Sequence, residues 1–304
     1  MNASHLEPAD RDPKAIRRTV FFLVSLILVG GFAILYKYQK QQESDRLEVI
    51  EGRSPRIGRL TKNFAGVCQD GESRGLNDLE GKVWAVSAIV PNFPEENKIQ
   101  LAKMQELAER YKGRDDFHLV CLSVADPTDK SQNAGHERLK EIADEVGADI
   151  DQWWFMAAEE EKVIGFLKDH LKMAHIKERS GEEAVKRGKH DIAAQIRIID
   201  QSRRVRGEHQ QFDFDLARNR MEQEKRYLAE NPHKLENADV KDAAKFYLNM
   251  DEEWTKRMHK VIDYTFTETE QDSDPDYITA LMVTFGVVGF IVVQVVRIRR
   301  RKNA

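Results

Sequence analysis

Two long apolar segments without a charged residue, one near each end, constrain this chain more than any other feature. Residues 19–36 read TVFFLVSLILVGGFAILY, and residues 277–296 read YITALMVTFGVVGFIVVQVV. A helix of about 20 apolar residues is long enough to cross the hydrocarbon core of a bilayer. The sequence therefore predicts a transmembrane helix at each end, although 33% of all residues are charged and the mean hydropathy is -0.60.

The first apolar segment has a second interpretation, as a cleaved signal peptide. Its apolar run is longer than the usual core of a signal peptide, and no small-residue cleavage site precedes the basic residues Lys37, Lys40 and Arg46. We therefore favour an uncleaved anchor.

Basic residues flank both apolar segments and predict their orientation. The C-terminal tail reads RIRRRKNA, and the N-terminal flank carries Arg11, Lys14, Arg17 and Arg18. Cytoplasmic flanks of membrane helices are enriched in Lys and Arg. We expect a two-pass protein of an inner or plasma membrane, with both termini cytoplasmic and the main domain extracytoplasmic, in the periplasm. The net charge of -4 gives no indication of a nucleic-acid partner.

Strand and helix patterns alternate between the two apolar segments. Near-continuous apolar runs at residues 83–90 and 117–124 are typical of strands buried on both faces. A short hairpin with an Asp70-Gly71 turn is predicted from residue 64, and helices are predicted at 98–112, at 139–146 (ending at Gly147) and at 159–171. Two further strands are predicted, one from Trp153 and one at 193–200. Residues 203–209 are predicted to pair with the strand at 193–200 as a hairpin. This alternation predicts an α/β fold, with a thioredoxin-like, mainly parallel sheet, flanking helices and a final antiparallel hairpin.

A helical extension follows the predicted sheet. Residues 213–230 form one predicted helix, which Asn231 and Pro232 end, and apolar residues recur at helical spacing over 238–266. Such an apolar stripe is buried either against its own domain or against a partner protein. We favour packing against the chain's own domain.

The chain contains two cysteines, Cys68 and Cys121, far apart in sequence and both in predicted strands. No C-x-x-C or C-x-x-x-C pair is present. We expect two free thiols that act as small buried apolar groups. A disulfide between them is the alternative, since the predicted compartment is oxidising.

Three segments carry a resemblance to a known family. They read DLEGKVWAVSAIV from Asp78, SVADPTDK from Ser123 and KHDIAAQIRIID from Lys189. On these segments the chain resembles the Sco/SenC family, membrane-anchored thioredoxin-like proteins that assist copper-centre assembly in cytochrome c oxidase. The resemblance covers residues 57–210. It implies a copper chaperone-like role in the respiratory chain, with oxidase subunits as partners.

The paired cysteines of the Sco/SenC pattern T-x-C-P-x-x-C-P are replaced in this chain. Phe93 and Asn97 stand at the two cysteine positions, while Pro94 is kept. A thiolate supplies both the soft ligand for Cu(I) and the nucleophile for disulfide exchange. A phenyl ring or a carboxamide can neither hold Cu(I) as a soft ligand nor exchange disulfides. We therefore exclude thiol redox chemistry at this loop and predict that the protein is not an enzyme.

Three further positions match the family's metal-site patterns. His190 falls on its metal-binding histidine, and Asp126 and Asp129 fall on its acidic loop. One imidazole is a poor copper site, so a rebuilt site would need further ligands. The candidates are His136, His175, Glu95 and Glu96. The favoured alternatives are a strand-edge histidine bonded to nearby backbone and an ordinary Asp-Pro turn or helix cap.

Some side chains outside these patterns also merit attention. Met173 and His175, and Met258 and His259, place a thioether near an imidazole, although chance adjacency is the favoured interpretation. Trp153 and Trp154 either form a contact patch or lie on opposite faces of a strand, and we favour the second.

The predicted organisation has seven parts. They are a cytoplasmic N-terminal tail (1–18), a transmembrane helix (19–36), a connector (37–57), a thioredoxin-like Sco/SenC domain (58–212), a helical extension (213–276), a transmembrane helix (277–296) and a basic cytoplasmic tail (297–304). The leading hypothesis is a non-redox protein that assists assembly of a respiratory complex by protein binding. A copper-delivery protein with a cysteine-free site centred on His190 is the alternative, and a structural or signalling tether is the third. We expect no cofactor, and copper is the one metal that the resemblance suggests.

Overall fold

The computed structural model describes residues 51–125, 135–173, 175–208, 210–236 and 238–268, with residues 13, 17, 20–24, 27, 30, 31, 34–39, 42 and 46 before them. The chain divides into two compact units, Met1–Phe266 and Thr267–Ala304. Among the described residues, no helix is both long enough and apolar enough to cross a membrane. The predicted span at 277–296 lies outside the described residues, and that at 19–36 is described only in part, so both stay predictions.

Ten strands in the described part of the chain form two sheets. They are β1 (Arg56–Arg59), β2 (Ala65–Cys68), β3 (Ser73–Gly75), β4 (Val83–Ile89), β5 (Phe117–Ser123), β6 (Trp153–Ala157), β7 (Ile176–Glu178), β8 (His190–Ile192), β9 (Arg197–Ile199) and β10 (Arg204–Arg206). The large sheet has the order β1-β10-β9-β4-β5-β6-β2-β3, and β7 pairs with β8 in a separate sheet.

Helices connect and flank these strands. They are α1 (Pro94–Arg110), α2 (His136–Val146), α3 (Glu160–Gly165, continued by a π-turn at Phe166–His170), α4 (Gly181–Arg187), α5 (Phe214–Glu230), α6 (Ala238–Leu248) and α7 (Met250–Thr267). Gly147 ends α2 in the left-handed conformation with a φ of 68°, as the sequence predicts.

The centre of the large sheet has the thioredoxin arrangement. β4 pairs in parallel with β5, and β5 pairs in parallel with β6. α1 and α2 make the two crossover connections, as parallel pairs require. On the other side of β4, β9 runs antiparallel and is followed by antiparallel β10. The predicted final antiparallel hairpin is therefore confirmed. The prediction of a mainly parallel sheet is wrong, because five of the seven described strand pairings in the large sheet are antiparallel and only the two at its centre are parallel.

Alternating side chains of the strands build a separate apolar core on each face of the sheet. Val83 and Ala85 of β4 join the core under α1 and α2, while Trp84 and Val86 join the core under α3. This alternation follows from the two-residue repeat of a strand. The favoured interpretation of the tryptophan pair is confirmed, because Trp153 lies in the first core and Trp154 in the second.

The helical extension packs against its own domain. Trp254, Met258, Val261 and Ile262 of α7 are buried in the core under α1. Lys103 of α1 also donates hydrogen bonds to the Asp251 carboxylate at 3.0 Å and to the Thr255 hydroxyl at 2.7 Å. The favoured interpretation of the apolar stripe is thus confirmed.

The structure differs from the predicted strand at residues 193–200 in two ways. Only Arg197–Ile199 join the sheet, because Gln195 forms an isolated bridge with Asp213 and its carbonyl accepts from the Ser87 hydroxyl at 2.9 Å. The preceding residues His190–Ile192 form β8, which the sequence analysis does not predict. A strand of three residues is too short for its alternation to be recognised.

Candidate functional site

The loop after β4 starts helix α1 and carries the family's altered positions. Phe93 precedes the helix and Pro94 is its first residue. Proline suits this position because its fixed φ is helical and its missing N–H has no helical partner to lose. The Phe93 side chain is half-buried and packs against the core under α3, so its ring has a structural role in the loop.

Asn97 closes this loop with both ends of its carboxamide. Its Oδ1 accepts from the Val90 backbone N–H at 2.8 Å, and its Nδ2 donates to the Val90 carbonyl at 2.8 Å. The side chain is only 1% exposed. Asn97 therefore satisfies two polar backbone groups at the end of β4, and a cysteine side chain could not form this pair of hydrogen bonds.

The segment before β8 lies directly against the same loop. Gly188 has a φ of +90°, and a Cβ built on it would lie 2.9 Å from Cδ2 of the Phe93 ring and 3.1 Å from Cγ1 of Val90. Only glycine fits such a close approach with this backbone conformation. The fold thus brings Phe93 against the segment that carries His190.

A cluster of ion pairs joins α1 to the β7–β8 hairpin. The guanidinium of Arg179, 5% exposed, lies 2.7 Å from the Glu96 carboxylate and 2.6 Å from that of Asp191. Arg187 adds a second pair with Glu96 at 2.8 Å. Burial alone would raise the pKa of Glu96, but hydrogen bonds from Arg187 and Arg179 hold it below its usual value.

Arg179 also fixes the backbone of the hairpin. It donates to the carbonyls of Arg187 and His190, each at 2.9 Å. We call Glu96, Arg179, Arg187 and Asp191 the arginine cluster. Its carboxylates are already neutralised by guanidinium groups, which disfavours a cation at this position.

His190 forms its side-chain contact with a carboxylate. It is the first residue of β8, and its Nε2 lies 2.9 Å from Glu160 Oε1. Lys189 bonds the same oxygen. Burial would raise the pKa of Glu160, but the hydrogen bonds from Lys189 and His190 lower it. The strand-edge alternative expected a backbone partner for the imidazole, and the structure places a carboxylate there.

The other candidate ligands do not gather around His190. The ring of His136 lies near Gly71 in the β2–β3 turn, and His175 Nε2 lies 3.5 Å from Asp191 Oδ2. Glu95 is exposed and pairs with Lys98 at 2.7 Å. Within the described residues, no group of three or more His, Cys, Asp or Glu side chains could hold a metal ion. Asp126 and Asp129 lie outside those residues.

Both cysteines are free and buried, so the expectation of unpaired thiols is confirmed and the disulfide alternative is wrong. Cys121 lies in the core under α1 and Cys68 in the core under α3. Burial raises the pKa of Cys121 to about 12 and also raises that of Cys68. Neither thiol is a reactive thiolate at neutral pH.

The two thioether–imidazole pairs do not form ligand pairs. The side chain of Met173 is buried in the core under α3, and that of Met258 is buried in the core under α1. His259 Nε2 lies 3.5 Å from Glu106 Oε1 and forms no hydrogen bond within the described part of the chain. Chance adjacency in the sequence remains the favoured interpretation, because both sulfur atoms serve as core volume.

Two residues at the centre of this region were missed by the sequence analysis. Arg179 and Glu160 organise the contacts of the hairpin and of His190, but neither lies in a motif. The sequence offers no local signal for them, because Arg179 lies 83 residues from Glu96 and Glu160 lies 30 residues from His190.

Comparison with known proteins gives structural matches only. No family model matches the chain, and no curated protein matches it significantly. A SCO1/SenC family lipoprotein from Bacillus anthracis is similar at 23% identity and a TM-score of 0.41, over 50% of this chain and 84% of that one.

Two other solved structures are similar. BsSco, a member of the Sco family of cytochrome c oxidase assembly proteins, has 21% identity and a TM-score of 0.39, over 50% of this chain and 83% of its own. ScoI of Bradyrhizobium japonicum with copper bound has 16% identity and a TM-score of 0.37, over 47% and 85%. At these values no activity of the neighbours transfers to this chain. By its own strand order the chain has a thioredoxin-like fold, and it is similar to Sco/SenC proteins.

Proposed function

We propose that this chain is a membrane-anchored, non-redox, Sco/SenC-like protein that assists assembly of a respiratory complex, cytochrome c oxidase, by protein binding. The assignment to oxidase follows the family resemblance of the three sequence segments, and BsSco is a member of a family of assembly proteins for the same enzyme. The predicted spans at 19–36 and 277–296 supply the anchor, with the domain in the periplasm.

The observation that carries the proposal is how the side chains at the loop after β4 are bonded. Asn97 uses both polar ends of its side chain to hold Val90, and the arginine cluster neutralises Glu96. The groups at this position therefore support structure rather than electron transfer or cuprous-ion binding. A thioredoxin-like scaffold whose loop after β4 carries no thiol fits a role in binding other proteins.

Co-purification is the first experiment. The tagged full-length chain, isolated from solubilised membranes, should retain oxidase subunits, and a deletion strain should have a reduced oxidase content. Normal oxidase content in the deletion strain would remove the basis of the proposal.

A separate experiment tests the proposal that the protein acts without thiol redox chemistry. In it, the deletion strain is complemented with the Cys68→Ala/Cys121→Ala chain. We expect full restoration of oxidase content, because neither buried thiol is reactive. The matched control is the wild-type chain expressed to the same level. Failure of a variant that accumulates normally and melts cooperatively would show that a thiol is required.

Copper delivery through His190 is the second candidate. It is favoured by one contact, that of the imidazole with the Glu160 carboxylate at 2.9 Å, since imidazole and carboxylate together suit a borderline metal. This candidate predicts stoichiometric copper uptake that is lost in His190→Ala and kept in His233→Ala, an exposed histidine outside the region. No uptake from micromolar copper by the wild-type chain would exclude it.

A further inference from the structure

A cavity of about 380 Å³ lies on helix α7, away from the loop after β4. Its size is within the range of small-molecule sites. Arg110 at the end of α1 and Phe246 of α6 form part of the wall, and the other lining residues are on α7. They are Glu253, Lys256, Arg257, His259, Lys260 and Asp263.

The lining has an excess of positive charge. Four basic side chains and two carboxylates line it, and Glu252, 2.8 Å from Lys256, adds a third carboxylate beside it. One positive charge is then in excess when His259 is neutral. Burial lowers the pKa of His259, and the nearby Arg110 lowers it further, so a neutral imidazole is consistent with the surrounding charge. A positive excess attracts an anion such as a phosphate monoester, which carries a charge of about -1.5 to -2 near neutral pH.

The carboxylates of the cavity already have partners. Asp263 lies 2.9 Å from Arg110, and Glu253 lies 3.3 Å from Lys256. Arg257 differs from Arg110 and Lys256, because it forms no ion pair with any residue that the structure describes. Its guanidinium lies over the Phe246 ring, 5.5 Å from the centroid. This contact holds the guanidinium beside the cavity wall and leaves its N–H donors available for an anion.

We propose that this cavity binds a phosphate monoester, with Arg257 as the principal anion contact and Lys256, Lys260 and Arg110 as the surrounding positive charge. An arginine fork binds phosphate oxygens through two parallel hydrogen bonds, which gives both affinity and orientation. The monoester belongs either to a small soluble ester or to the headgroup of phosphatidic acid. This inference is independent of the proposed assembly function.

The test uses the full-length chain in neutral detergent and glycerol 3-phosphate as the probe, measured by titration calorimetry at low ionic strength. We expect saturable binding that weakens as salt is added. Arg257→Gln should weaken it about tenfold or more, since a hydrogen bond to a charged group is lost. Lys260→Gln, at an exposed position, is the second variant and should also weaken binding.

The matched control is Arg218→Gln, which makes the same charge change at an exposed position of α5 outside the cavity. Absence of glycerol 3-phosphate binding by the wild-type chain, or equal weakening by the control, overturns the proposal. Displacement of the probe by short-chain phosphatidic acid identifies a lipid headgroup as the source. Binding of the probe without displacement identifies a soluble ester.

Discussion

Asn97 stands at a cysteine position of the family pattern and stabilises the loop there by hydrogen bonds to the backbone. The loop after β4 must turn sharply into α1, which leaves the N–H and carbonyl of Val90 without a strand partner. The Asn97 carboxamide offers one acceptor and one donor, and each meets one of these groups at 2.8 Å. A buried polar backbone group without a partner is costly, so this side chain is required for the loop.

Replacement of Asn97 by alanine should destabilise the fold by about 1–3 kcal/mol, because the buried Val90 N–H loses its partner, while the Val90 carbonyl keeps only the Phe93 N–H at 3.1 Å. Urea denaturation followed by circular dichroism measures the change. Asn92→Ala in the same loop is the matched control and should stay within about 0.5 kcal/mol. Equal effects of the two substitutions would argue against the assigned role.

His118 is a second residue whose surroundings fix its behaviour. It is 1% exposed, and neither ring nitrogen has a hydrogen-bond partner among the described residues. Its ring packs edge-on against Trp154 with 4.4 Å between centroids. Burial, with smaller contributions from Lys82 and Arg74, lowers its pKa from 6.5 to about 3.

This pKa predicts loss of stability in acid. Below pH 6.5 the unfolded chain binds a proton at His118 that the folded chain does not bind until about pH 3. The free energy of unfolding should therefore fall by about 1.4 kcal/mol for each pH unit across this interval. His118→Leu should reduce the slope of stability against pH, whereas exposed His233→Leu should not. An unchanged slope in His118→Leu would contradict the prediction.

At the scale of elements, the arginine cluster holds the small β7–β8 hairpin against α1. Arg179 should contribute most, because its side chain is 5% exposed while that of Arg187 is 48% exposed. Arg179→Met should cost about 2–3 kcal/mol of stability, since Glu96 and Asp191 lose a shared partner. Arg187→Met is the control and should cost less than about 1 kcal/mol. Denaturant titration of both variants checks the order, and a larger loss in Arg187→Met would refute it.

The elements with strong periodicity could be predicted from the sequence. Apolar runs gave β4 and β5, and helical spacing gave α1, α2 and α7, because each is long enough for its pattern to repeat. The hairpin of β7 and β8 could not be predicted, since it has three residues on each strand and is held by Arg179 from outside its own pattern.

For the candidate site, the sequence predicted which residues are present but not which residues they contact. The sequence identifies Phe93 and Asn97 as replacements for cysteine, which decides what the loop cannot do. The partners that decide what these residues do are distant in sequence, as with Gly188 against Phe93. Such contacts arise from the arrangement of whole elements, and a single sequence carries no local signal for them.

At the scale of the whole molecule, the two thiols report on the integrity of both cores. In the native chain, Cys68 and Cys121 should react with an aromatic disulfide reagent only slowly, because both are buried on opposite faces of the sheet. Both should react at once in denaturant. Addition of a reductant should leave the melting temperature unchanged, and a clear drop would reveal a disulfide.

The pairing of the first strand with the last has a consequence for synthesis on the ribosome. β1 begins at Arg56 and finds its only described neighbour in β10, which ends at Arg206. The edge of the sheet therefore cannot close until about 150 further residues have emerged. During that interval the nascent chain exposes an unfilled strand edge, and we expect a chaperone or the translocation machinery to shield it.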